Sequence, residues 1–253
     1  MLSLRGGRFF RQVLHALLFV SCVRVGAVAQ ESLPVHSPED AVRILQSGKA
    51  EEKARLAKQF HLDGDLTGME FSVIYRPLDA GRKTAVITAR LFDVITVIVL
   101  KHTRQGWLYE DSLPFWAWTD KLSMNLKPLT EPPLNDIVIH QHVTTHGTGL
   151  YEAHFVVVKL IDSRLRIVLD TVEEAHISGW PRDEGDIEQK SVFKLTPAKK
   201  DEPADIEEEE TVRTGSFAEV RKRDFTWIPE FKIFEPSEWS SAQTKKLRND
   251  ANP

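Results

Sequence analysis

The chain has 253 residues, 42% hydrophobic and 28% charged, with a net charge of −4. That is an ordinary globular composition, long enough for one large core or two small ones. One cysteine excludes a disulfide scaffold, and the absence of net positive charge argues against nucleic acid as a partner.

The first 29 residues carry the pattern of a secretory signal peptide. Met1–Arg11 is basic and free of acids, Val13–Val23 is apolar apart from His15 and Ser21, and Ala27-Val28-Ala29 is a small-x-small cleavage site. The apolar run is too short to cross a bilayer and Arg24 ends it. No later stretch is long enough for a transmembrane span. The expected destination is the periplasm or the extracellular space. Phe19-Val20-Ser21-Cys22 allows a lipoprotein variant anchored at Cys22, although its first position lacks the usual leucine-like aliphatic. Removal of this segment takes away Cys22 and four of the 33 basic residues (Arg5, Arg8, Arg11 and Arg24), leaving 29 basic against 37 acidic residues. A cysteine nucleophile and a thiolate metal site are thereby excluded for the mature chain.

After a short leader, Ser37-Pro38-Glu39-Asp40 predicts a helix start. Ser37 is placed to cap, Pro38 suits the first turn, and Ala41, Val42 and Leu45 form the apolar stripe behind it. Gly48 punctuates, and Ala54, Leu56, Ala57 and Phe60 resume the helical spacing, so two short helices or one broken helix are expected over 38–60.

From Phe71 the texture becomes β. Phe71–Leu78, Thr84–His102, Gly106–Asp111, Asp136–Thr144, Leu150–Ile161, Arg164–Val172, Gln189–Leu195, Thr211–Val220 and Asp224–Phe234 are rich in Val, Ile, Phe, Tyr and Thr, with turn residues between many of them. Thr84–His102 is too long for one strand, and Asp93 marks a bend within it. Without intervening helices the connections are antiparallel. The chain is therefore expected to be mainly β: antiparallel meander sheets with a short N-terminal helical segment. Residues 30–127 hold the helical segment and a β region. Residues 134–239 hold a C-terminal sheet region, with Pro128–Pro133 as the boundary, and 240–253 form a flexible tail. Seven of the ten residues from Asp201 to Glu210 are acidic, which reads as a mobile, solvated loop over Pro197–Glu210 or a patch for calcium or a cationic partner.

Three groups carry possible chemistry. In Asp136–Thr144, His140 and His142 share a strand face. A hairpin centred on Gly147 pairs residues whose numbers sum to 294, which sets His154 opposite His140 and Glu152 opposite His142. Three imidazoles on one face offer a zinc site with an open position for water; the same residues also suit a polar surface face of independently titrating groups. Asp63, Asp65 and Thr67, followed by Gly68, match the opening of a calcium loop, but Ile74 stands where the twelfth-position ligand belongs. The other reading is a turn whose acids bond the local backbone. Trp116 and Trp118 share one face if extended and suit sugar stacking or a protein anchor, or else packing. There is no P-loop, dinucleotide glycine pattern or nucleophile elbow.

Asp65-Leu66-Thr67-Gly68 before Phe71–Tyr75, Asn135–Ile139 before Gly147–Tyr151, and Asp224-Phe225-Thr226-Trp227 resemble segments of the FG-GAP/VCBS type of repeat of exported bacterial proteins. That resemblance implies blade-like meanders. A closed propeller does not fit the length. The functional expectation is a binding or structural module without enzymatic activity, with a protein or polysaccharide as partner. A zinc-dependent hydrolase using the histidine hairpin is the alternative.

Overall fold

Ser37 caps the first helix as its position predicts: its hydroxyl accepts from the amide of Asp40 at 3.0 Å. Helix α1 (Pro38–Ser47) ends at Gly48, where a Cβ would lie 2.6 Å from the Ile44 carbonyl oxygen, and helix α2 (Ala50–Gln59) follows. Among the described residues, every element after them is a strand. The structure is a computed structural model, and it describes residues 34–116, 122–145, 150–177, 186–196, 202–215, 217–240 and 243–246. The signal segment lies outside the described residues.

The first four strands are β1 (Glu70–Tyr75), β2 (Thr84–Leu91), β3 (Val94–Thr103) and β4 (Gly106–Trp116), an antiparallel sheet in that order. The expected bend at Asp93 is a turn, closed by the Leu91–Val94 pair. The second sheet contains β5 (Ser123–Lys127), β6 (Asp136–Thr145), β7 (Leu150–Ile161), β8 (Arg164–Ile177), β9 (Ile187–Leu195), β10 (Ile206–Thr214), β11 (Phe217–Ile228) and β12 (Ile233–Pro236), each paired to the next. A ninth strand, β13 (Gln243–Lys246), shares the outer edge of β11 with β12. The change of sheet therefore falls between Trp116 and Ser123, ahead of the proline-rich stretch.

The small sheet is buried on both faces, which is why β2 and β3 read as nearly continuous apolar runs. Ala85, Ile87, Ala89, Ile98 and Leu100 pack under the helices with Leu45, Leu56 and Phe60. The alternate residues Val86, Val97 and Val99, with Phe115, pack against Ile137, Ile139, Val156 and Val158 of the large sheet. Polar ties fix the two sheets together. Asp111 accepts from the Leu165 amide at 2.8 Å, and Ser163 donates to Glu110 at 2.6 Å. On the first face, Tyr75 donates to both carboxylate oxygens of Glu39, at 2.8 and 2.7 Å, and so ties α1 to β1.

The other face of the large sheet rolls over itself. Val138, Phe155, Val157, Leu169, Ile206, Phe225, Trp227 and Phe234 belong to one core although they come from six strands. The proline-rich stretch is not a free linker. Leu129 and Thr130 are buried, their amides donate to the buried Asp136 carboxylate at 3.0 and 2.8 Å, and the Leu129 carbonyl accepts from the Ala204 amide at 2.7 Å.

Two expectations need correction. Ile206–Glu210 is part of an interior strand, flanked by β9 and β11, and not a solvated loop; Pro197–Asp201 lies outside the described residues. Every second residue of β10 points inward, so half of its acids are buried against basic partners. The tail after Ser240 pairs with β11 through Gln243–Lys246.

Candidate ligand-binding site

Strand β10 reads Ile206-Glu207-Glu208-Glu209-Glu210, and its pleat separates the acids into two sets. Glu207 and Glu209 face outward, where the Lys222 ammonium lies 3.7 and 2.9 Å from them. Glu208 and Glu210 face inward and are 0% and 1% exposed. A carboxylate buried this deeply is stable as an ion only with charged and hydrogen-bonding partners. The register supplies them, pairing Glu208 with Arg223 and Glu210 with Arg221. The Arg223 Nε donates to Glu208 Oε2 at 2.6 Å, the Ser191 hydroxyl donates to Glu208 Oε1 at 2.6 Å, and the Arg221 Nε donates to Glu210.

The guanidinium groups are also held by aromatic rings. Trp239 lies 4.3 Å from Arg221 and 4.2 Å from Arg223, measured from guanidinium carbon to ring centre, and Phe225 lies 4.7 Å from Arg223. Arg223 then reaches across the face, its Nη2 donating to Thr171 Oγ1 of β8 at 3.1 Å. Phe193, the cross-strand neighbour of Glu208, stacks on Phe155 at 4.5 Å, and Phe155 meets the His140 ring edge-on at 5.3 Å. His140 Nδ1 pairs with Glu173 at 2.8 Å. His142 Nδ1 shares a hydrogen bond with the Tyr151 hydroxyl, whose pKa is raised by burial and by the carboxylates of Glu174 and Glu173. A continuous set of polar and aromatic contacts thus runs from β6 to β11 on the inner, concave side of the rolled sheet, with Arg221, Arg223 and His140 as its partly exposed members.

The sequence-derived candidates fall elsewhere or divide. The β6–β7 hairpin pairs Thr145 with Leu150, so its paired numbers sum to 295, one more than expected. A one-residue slip exchanges faces: His140 pairs with Phe155 and His142 with Ala153, while His154 sits beside Gln141 on the other face. The three imidazoles do not converge. His154 is clamped between two carboxylates, Asp170 at 2.8 Å and Glu152 at 3.4 Å. Burial pulls its pKa down, but those two acids outweigh burial and hold it up at about 9, so it is not a surface group with the ordinary value. Among the described residues no cluster of three or more His, Cys, Asp or Glu side chains is placed to hold a metal.

Asp65 turns onto its own loop. Its Oδ1 accepts from the Thr67 amide at 2.9 Å and from the Thr67 hydroxyl at 2.7 Å, and these two hydrogen bonds lower its pKa. Asp63 is exposed. Trp116 is exposed at the end of β4, and Trp118 lies outside the described residues. A separate buried ion pair joins Lys159 to Asp136 at 3.6 Å, with Thr130 accepting from the Lys159 ammonium at 2.7 Å. Sequence reasoning missed Glu208, Glu210, Arg221, Arg223 and Trp239. The available signal was the acid run Glu207–Glu210, whose even-numbered members face Arg223 and Arg221. The chain matches no protein-family description, no curated protein and no solved structure.

Proposed function

We propose that the chain is an exported, non-enzymatic binding module that takes a polyhydroxylated ligand, an oligosaccharide or the end of a polysaccharide, on the concave face of the rolled sheet. The observation that carries this reading is Arg221. Its Nε is committed to Glu210 and its plane rests on Trp239. The side chain is 19% exposed, and its Nη1 and Nη2 have no hydrogen-bond partner among the described residues. A pre-oriented, partly exposed donor fork on a polar and aromatic face suits oxygen acceptors of a ligand.

The charge balance favours a neutral ligand. The carboxylates of Glu208 and Glu210 are matched one to one by the guanidinium groups of Arg223 and Arg221, so these pairs offer fixed donors and acceptors with little net charge. Hydroxyl groups, which both donate and accept, match such a lining. The guanidinium groups hold Glu208 and Glu210 as fixed ions, which suits a pre-organised binding face.

A thermal-shift panel tests the proposal with glucose, galactose, mannose, N-acetylglucosamine, cellobiose and maltose. At least one sugar is expected to raise the Tm of the wild type through preferential binding to the folded state, and Arg221→Lys is expected to abolish that rise. A panel without any rise, or a rise unchanged in Arg221→Lys, contradicts it.

A further inference from the structure

Thr171, which accepts from Arg223, belongs to a row that crosses four strands. It pairs directly with Phe155 on β7, Phe155 pairs with His140 on β6, and His140 pairs with Ser123 on β5. Direct cross-strand partners lie on one face of a sheet. The row therefore runs along the concave face for about 14 Å, three strand spacings, and starts where Arg223 ends. Phe155 is buried, whereas Thr171 and His140 are partly exposed and Ser123 is exposed.

The surrounding structure sets the hydrogen-bonding character of each member. Glu173 is the unpaired residue of a β-bulge in β8, between Val172 and Glu174, which pair with His154 and Ala153. A bulge re-aims a side chain, and the Glu173 carboxylate meets His140 Nδ1 at 2.8 Å. A carboxylate accepts, so Nδ1 carries the proton, and in the neutral ring Nε2 is left as an acceptor. Among the described residues neither His140 Nε2 nor the Ser123 hydroxyl has a hydrogen-bond partner, and the Thr171 hydroxyl, which accepts from Arg223, has no acceptor for its own hydrogen. From Arg223 outward the row thus offers a donor, a hydroxyl, an acceptor and a second hydroxyl. β5 ends the order of the sheet, so among the described residues no further strand closes the row beyond Ser123.

We propose that the concave face takes a linear sugar chain of three or more units, lying across β8 to β5, with one end at Arg221 and Arg223 and the outer units on His140 and Ser123. This rests on the reading of the concave face as a saccharide seat and adds the length and direction of the ligand. Sugar hydroxyls both donate and accept, so successive units can meet a guanidinium, a bare imidazole nitrogen and a serine hydroxyl in turn. A single sugar ring is shorter than the row and would leave one end of it unused.

The test is isothermal titration calorimetry of the full chain with monosaccharide and trisaccharide pairs: glucose with cellotriose, glucose with maltotriose, mannose with mannotriose, and N-acetylglucosamine with N-acetylchitotriose. In at least one pair the trisaccharide is expected to bind tenfold or more tightly than the monosaccharide. His140→Asn keeps a donor for Glu173 at the Nδ1 position and removes the Nε2 acceptor. In His140→Asn and in Ser123→Ala that gain is expected to fall to threefold or less, with the Tm of the sugar-free protein held at the wild-type value. Nitrogen-15 NMR of the His140 ring at pH 8 gives a readout that needs no sugar, and the Nδ1–H form with a bare Nε2 is expected. An Nε2–H form would overturn the proposal. Binding that is lost in Arg221→Lys but is equal for monosaccharide and trisaccharide, or whose gain survives in either variant, would also overturn it while leaving the saccharide seat standing. Absence of binding by every sugar would overturn the seat and the proposal together.

Discussion

Arg223 on β11 donates to Thr171 on β8 at 3.1 Å, although three strand spacings, about 14 Å in a flat sheet, separate their strands. One side chain closes that gap only because the sheet is rolled. The roll has a reason in packing. Among the described residues no helix or second sheet covers the face carrying Val138, Phe155, Leu169, Phe225 and Phe234, so it buries its apolar residues against itself and against Leu129 and Ala204. Where that apolar filling gives way to Glu208, Glu210, Arg221 and Arg223, the inner face becomes polar.

Breaking the inner ion pair on one side is predicted to be costly. Arg223→Ala leaves Glu208 buried and without its cation, an uncompensated charge worth about 3–5 kcal/mol. The double variant Glu208→Met, Arg223→Met removes both charges and fills similar volume, and is expected to recover most of the loss. Urea unfolding midpoints of Glu208→Met, Arg223→Met and the double variant measure this. Additive losses would mean that the pair is not coupled.

His154 sets a pH dependence. Its folded pKa of about 9 stands above the unfolded value of 6.5, so the folded state holds the proton more tightly. The resulting stabilisation, on the order of 3 kcal/mol at full effect, is complete below pH 6.5. It is lost as pH rises through about 9. His154→Gln is expected to lose stability at pH 6 and to differ little from wild type at pH 10. NMR titration of the His154 ring protons should give a midpoint near 9, and a midpoint near 6.5 would contradict the two-carboxylate clamp.

Asp136 anchors the joint between β5 and β6. Its carboxylate takes the amides of Leu129 and Thr130 and the Thr130 hydroxyl, and faces Lys159. Asp136→Ala orphans two buried amides and leaves the buried Lys159 ammonium with the half-exposed Glu131 carboxylate at 3.5 Å as its counter-ion. At about 1–3 kcal/mol for each unsatisfied amide, a loss of at least about 2 kcal/mol is expected. Adding Lys159→Met should return part of it. Amide hydrogen exchange at Leu129 and Thr130 supplies the local readout, with fast exchange expected in Asp136→Ala and protection in wild type.

Phe92→Gly relieves a left-handed backbone at a ring that buries almost nothing. A gain of about 1 kcal/mol is expected, read as a higher urea midpoint at unchanged slope. A loss would mean that the Phe92 ring contributes packing to the folded chain.

Much of the architecture was legible because it depends on short-range pattern. The Ser37 cap, the two helices, the turn at Asp93 and most apolar strands follow from side-chain type at fixed spacing. Antiparallel pairing follows from the lack of crossovers. What was not legible depends on partners distant in the chain. The acids of β10 look like a solvated run until Arg221 and Arg223 are placed beside them. The β6–β7 register hangs on whether the loop holds four residues or five, and that difference of one moves His154 away from His140 and His142. The position of Trp116 at an uncovered sheet end depends on how far the helices extend over β2–β4, which its local sequence does not encode.

The central claim, that the concave face built around Arg221 and Arg223 is the ligand seat, is tested most directly by NMR of the arginine Nε–H groups. Glu208 and Glu210 bind both groups, so their signals should be sharp and shifted from those of exposed arginines in the free protein. Titration with whichever sugar raises the Tm should move the Arg221 and Arg223 signals, together with the His140 ring, ahead of all others. Signals at the free-arginine position before titration, or a titration that shifts only residues outside this face, would contradict the account.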